Sequence, residues 1–244
     1  MDPIDYLAAL GLLSVARRAE LQWVTEEARS CDVPVPQHAE VSMPTSELTD
    51  VVLSDAAAAA ADIEGIVQHA VLHVRDVLAP PLLPAVGLDM LSGQQSLTSA
   101  GRRLAESMTA ADVAALHDDS VPRSRTLSGA SLRLSATDGR THAYQAVRPA
   151  ATVAKVRVAA SWLAWRAITS FPWLGWSWRG SALARARHLT WHTPGGVFGW
   201  HAAKYAAIGG FPGWNWRSRI TWDRYGYGSL SPAEPVFFPS GGPH

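Results

Sequence analysis

Cysteine is almost absent from this 244-residue chain: Cys31 stands alone, which excludes an internal disulfide and any cysteine-based zinc cluster and fits a reducing compartment. The opening Met1-Asp2-Pro3-Ile4-Asp5 is acidic and lacks the cationic start and short apolar run of a secretory signal. No apolar run is long enough to span a bilayer, because Lys155, Arg157 and Arg166 interrupt the best candidate. Together these absences predict a soluble, cytoplasmic protein without a membrane partner.

Catalytic and cofactor signatures are missing too. The glycine pairs Gly195-Gly196 and Gly209-Gly210 have neither the spacing nor the lysine of a phosphate-binding loop, and no dinucleotide fingerprint occurs. His69 and His73 lie one helical turn apart with Asp76 next on that face, a geometry able to hold a metal. No glutamate follows His69 as the zincin pattern demands, so an exposed helix face is expected. His117-Asp118-Asp119 has no companion ligands and reads as a helix end. His188, His192 and His201 cluster in sequence near Ser177 and Ser181, but no nucleophile elbow surrounds either serine. The expectation is a noncatalytic protein with no metal and no cofactor.

What is present is a hydrophobic content of 48% against 17% charged residues, the balance of a folded globule. The zero net charge conceals an asymmetry. Residues 1–122 carry a net charge of −12 and residues 123–244 a net charge of +12. Such a chain either pairs its halves internally or offers the positive part to a polyanion. The sign changes in the polar tract from Asp118 to Gly129, which marks a candidate boundary between an acidic, mainly helical region 1–122 and a basic region 123–244; one continuous domain is the alternative.

Along the chain, Asp2 can cap a helix with Pro3 in its first position, running to about Ala19. It is apolar on nearly all sides around Leu7 to Leu13, which predicts burial, and Ala8, Ala9 and Gly11 permit close backbone approach. Glu20 to Val24 alternates like a strand, and Pro34 to Pro44 reads as a loop or edge strand. Thr45 or Ser46 can cap a second helix, which the alanine run Ala56 to Ala61 prolongs toward Leu78 before Pro80-Pro81. A turn over Gly87 to Gly93 precedes a helix from Gln94 to Met108, and Ser107 or Thr109 caps a shorter one ending near His117. Ser131 to Ser135 and Thr141 to Gln145 alternate around Asp138-Gly139, a hairpin signature that would project Arg133 and Arg140 from a ribbon. Ala150 to Ser170 is helical in pattern. Short strands near Arg187 to Trp191 and Arg219 to Trp222 flank a helix from about Val197 to Ala207, and the Pro/Gly/Ser-rich end reads as an irregular tail. The fold class expected is α+β, a helical first half packed on a second half with a small antiparallel sheet and further helices.

The densest signal lies between Trp162 and Tyr227, where ten of the eleven tryptophans sit among eight cationic residues and a single carboxylate, Asp223. Indole faces suit base stacking and guanidinium forks suit phosphate oxygens, so this region is the candidate nucleic-acid site. Phosphate contacts are expected from Arg179, Arg185, Arg187, Lys204, Arg217, Arg219 and Arg224, with Trp214 or Trp216 stacking a base. Core packing is the competing reading for each tryptophan, because large aromatics bury the most area.

The opening Asp2-Pro3-Ile4-Asp5-Tyr6-Leu7-Ala8-Ala9-Leu10-Gly11-Leu12-Leu13, followed after a basic turn by Ala19-Glu20-Leu21-Gln22-Trp23, resembles the start of CRISPR-associated subunits of type I-G effectors, formerly type I-U. The segment Met90 to Gln95 and the Trp-containing strands after Ala184 agree with that style. The match is concentrated in the first 24 residues, and the chain is much shorter than the large subunits of those systems. The resemblance implies a noncatalytic subunit or accessory protein of a type I RNA-guided DNA interference complex, with other effector subunits, guide RNA and target DNA as partners. Three other readings stay open: a scaffold using exposed aromatics and arginines, a membrane-surface protein anchored through Phe171 to Trp178, and a hydrolase using the three C-terminal histidines.

Overall fold

The computed structural model describes residues 2–27, 34–77, 96–135, 155–171, 188–206, 213–222 and 228–236. The first helix, α1 (Pro3–Val15), begins where Asp2 accepts a hydrogen bond from the Ile4 amide and Pro3 supplies a preset φ. It stops at Ala16, earlier than the apolar pattern suggests, and the chain turns through Arg17-Arg18 into β1 (Glu20–Glu27). β1 pairs antiparallel with β2 (Pro34–Val41) on one side and with β6 (Val197–Gly199) on the other. A strand from the beginning of the chain is thus hydrogen-bonded to one from its last quarter.

Two helices follow β2 where the alanine run predicts one. α2 (Thr45–Ala60) starts from Pro44 without a side-chain cap, and α3 spans Ile63–Val77. The break falls at Asp62, whose carboxylate accepts from the Gly65 amide at 3.1 Å and so opens a new helix instead of continuing the old one. α4 (Leu97–Ser107) and α5 (Ala110–Ala114) each begin with a reciprocal capping box, Ser96 with Ser99 and Thr109 with Asp112. The tract after α5 is tied down. Arg125, in the two-residue strand β3 (Arg125–Thr126), reaches both oxygens of Asp112 and the Ser107 carbonyl, and β3 pairs with β4 (Lys155–Val156).

The hairpin expected over 131–145 is not formed by its first arm. Leu132 and Leu134 are buried as an alternating strand would have them, but Arg133 sits at φ 59°, which breaks the extended run. Its turn and second arm lie outside the described residues.

α6 (Val158–Ser170) is the axis of the molecule, buried on nearly every side and packed chiefly along α1. Gly11 makes that crossing possible: a Cβ there would stand 1.7 Å from the Leu163 carbonyl oxygen. α1 belongs to the acidic half and α6 to the basic half, so residue 122 divides charge but not packing, and a single set of buried side chains from both halves forms the core. The last elements are β5 (His188–Pro194), α7 (Trp200–Ala206), β7 (Gly213–Trp222), β8 (Gly228–Leu230) and β9 (Glu234–Val236). The segment expected to be an irregular tail therefore contributes two short strands, both paired with β7 opposite β5. The class is α+β, as expected. No helix among the described residues is long and apolar enough to cross a membrane.

A candidate nucleic-acid interface

β7 carries the candidate site, and its pleat decides which of its residues meet solvent. Successive side chains of a strand point to opposite faces. Trp216, Ser218 and Ile220 are buried on one face, while Arg217 and Arg219 are exposed on the other. The tryptophans and arginines that look interleaved in sequence are thereby separated by the thickness of a sheet.

The inner face is an aromatic stack. Trp216 lies 6.5 Å from Trp191 on β5, Trp191 lies 5.9 Å from Tyr6 on α1, and Tyr6 lies 6.4 Å from Trp23 on β1. Trp216 donates its indole N–H to Thr193 Oγ1 at 2.9 Å and is only 2% exposed. This corrects one expected contact: a ring stacked on Trp191 of β5 and almost without solvent exposure offers no face to a base. Trp214, half-buried, is on the same inner side and has interactions of its own. Tyr6 Oη, Trp23 Nε1 and Trp191 Nε1 in this stack are buried without a hydrogen-bond partner, and burial pushes the Tyr6 phenol well above its ordinary pKa.

The outer face is polar. At one end His192 Nδ1 and Asn215 Oδ1 are 3.1 Å apart, and the imidazole lies over Gly213, where a Cβ would come within 2.9 Å of His192 Nε2. In the middle Arg217 stands opposite Glu234 of β9, with its guanidinium 3.6 Å from the carboxylate and both side chains largely in solvent. Exposed pairs of this kind contribute roughly 0–1 kcal/mol and leave the cation available. Beyond it comes Arg219, which no carboxylate approaches within ion-pair distance among the described residues. The register sets Thr190 opposite Arg217 and His188 opposite Arg219.

Other cations of the basic half are used differently. Arg157 pairs with Asp5 at 2.5 Å, Arg166 with Asp55 at 3.1 Å, Arg125 with Asp112 at 2.8 Å, and Arg123 with Asp119. Every one of those carboxylates comes from the acidic half, so internal pairing accounts for part of the charge asymmetry. Burial raises the pKa of Asp55 despite the neighbouring Arg166 and the Trp162 indole, whereas at Asp112 burial is outweighed by the bonds from Arg125 and Thr109, which together lower it.

Of the remaining expected contacts, Arg179, Arg185, Arg187 and Arg224 lie outside the described residues, and Lys204 is described only by its backbone place on α7. Of the histidine cluster, His192 is buried against Asn215 and His201 is exposed on α7, while the His188 side chain lies outside the described ones. No group of three or more His, Cys, Asp or Glu side chains able to hold a metal occurs among the described residues. Sequence reasoning missed Asn215 and Glu234. The second is hidden because the Pro/Gly/Ser-rich end reads as irregular, although the apolar run Pro235-Val236-Phe237-Phe238 beside Glu234 is a usable strand signal.

No family model matches this chain, and neither a curated protein nor a solved structure matches it.

Proposed function

We propose that this protein is a noncatalytic component of a nucleic-acid-bound assembly, of the kind its N-terminal resemblance to type I-G CRISPR subunits suggests, and that the outer face of β7 contacts the nucleic acid. The observation that carries this reading is the contrast in how arginines are engaged. Arg125, Arg157 and Arg166 are held by carboxylates of the acidic half, while Arg217 and Arg219 point into solvent beside one weakly engaged glutamate among the described residues. Exposed guanidinium groups in a row are suited to phosphate oxygens, and the free energy of such contacts comes largely from released counterions.

The test is a titration of a labelled DNA duplex at increasing salt. The logarithm of the association constant should fall linearly with the logarithm of salt concentration. Replacing Arg217 and Arg219 by Glu should weaken binding at every salt concentration and reduce the slope by about 1 for each arginine that no longer neutralises a phosphate. Binding that ignores salt, or that survives both substitutions unchanged, would remove β7 as the binding surface.

A further inference from the structure

We infer that the β7 face recognises a phosphate backbone without stacking on bases, and therefore accepts a paired duplex at least as well as a single strand. The inference rests on the reading of this face as a nucleic-acid contact and deepens it.

Sheets that bind single strands present aromatic rings and cations on the same surface, so that unstacked bases lie on the rings while the backbone follows the charges. β7 does the opposite. Its strand alternation and its antiparallel register with β5 place Trp216 and Trp214 on the inner side, opposite Trp191 and Thr193, and leave Asn215, Arg217 and Arg219 on the outer side. Trp216 is also fixed in place by its hydrogen bond to Thr193 and by the stack running through Trp191 to Tyr6. Turning either ring outward would require a one-residue slip of β7, which would bury both arginines. An unpaired base gains roughly 1–3 kcal/mol from each aromatic platform it finds, and the outer positions of β7 provide none. What they provide are two guanidinium groups at alternate residues, about 7 Å apart along the strand. Phosphates are displayed to such a row by paired and unpaired strands alike, but only the duplex keeps its bases stacked at no cost to binding.

Glu234 gives the face an internal control. It is the one carboxylate beside the two arginines among the described residues, and it would repel an approaching phosphate.

The experiment compares a duplex and a single strand of equal phosphate count, in several base compositions, with the full chain and three variants: Glu234→Gln, Trp214→Phe and Arg217→Gln/Arg219→Gln. Thermal midpoints are recorded for each. The expected result is duplex affinity equal to or above that of the single strand, no more than about threefold variation with base composition, a several-fold gain for Glu234→Gln and unchanged binding for Trp214→Phe, since phosphate contacts carry little sequence information. A tenfold preference for the single strand, abolished by Trp214→Phe at an unchanged thermal midpoint, would overturn the inference while leaving the nucleic-acid reading intact. Absence of binding to either oligonucleotide would overturn both.

Discussion

α6 and β7 are written with the same residue types and put them to opposite use. In α6, Trp162, Trp165 and Arg166 fall at positions i, i+3 and i+4, which share one helical face, so ring and cation enter the core together. The rings stack at 5.1 Å, the Trp165 indole donates to the Leu97 carbonyl, and Gly101 clears the space in which that ring lies. Arg166 then requires an internal counter-charge, and Asp55 supplies it while also accepting from the Trp162 indole. In β7 the period is two, so the same mixture separates into an apolar face and a cationic one. Periodicity, not composition, decides whether an arginine here becomes part of the fold or part of a surface.

Substitutions in α6 should have the largest effects. Replacing Trp165 by Ala should cost about 4 kcal/mol, because a fully buried ring and its hydrogen bond are removed from a packed site; chemical denaturation measures it, and a loss under about 1 kcal/mol would mean the α6 face is not core. Asp55→Leu should cost about 3 kcal/mol by leaving Arg166 without its partner and the Trp162 indole without its acceptor. Adding Arg166→Met to Asp55→Leu should recover most of that loss, since a buried pair has little advantage over a well-packed apolar one.

A smaller effect concerns acid. The Asp112 carboxyl has its pKa lowered in the folded chain, so its contribution is complete above the ordinary carboxylate value of about 3.9 and is lost as pH falls through the lowered one. Asp55 is shifted the other way: folding raises its proton affinity, so acidification favours the native state at that residue. Asp112→Asn should therefore lower the thermal midpoint at neutral pH and flatten its decline below pH 4, whereas an undiminished decline would show that other carboxylates control acid unfolding.

Much of this architecture is legible locally. Asp2-Pro3 marks the start of α1, Gly11 announces a close crossing, and Thr109 with Asp112 spells a capping box. What is not legible is either a choice between local alternatives or a contact with a distant partner. Nothing near Asp62 says that its carboxylate will start a helix instead of decorating one, and Arg133 breaks an otherwise convincing alternation by taking a left-handed backbone conformation. In the site, the outward placement of Arg217 and Arg219 follows from their odd spacing to Trp214 and Trp216, which is readable as an amphipathic strand. Reading the same residues as a mixed surface overlooks that a strand cannot show both sets to one ligand. Glu234 reaches Arg217 only through the pairing of β9 with β7, information that no local pattern holds.

The β7 arginines belong to a surface and the α6 arginine to the fold. Arg217→Gln/Arg219→Gln tests it when duplex affinity and thermal midpoint are measured on the same sample. Stability should stay within about 0.5 kcal/mol of the parent chain, as for surface substitutions generally, while affinity at low salt falls at least tenfold. A drop in stability comparable to that of Asp55→Leu would place these arginines in the fold, and unaltered affinity would remove them from the binding surface.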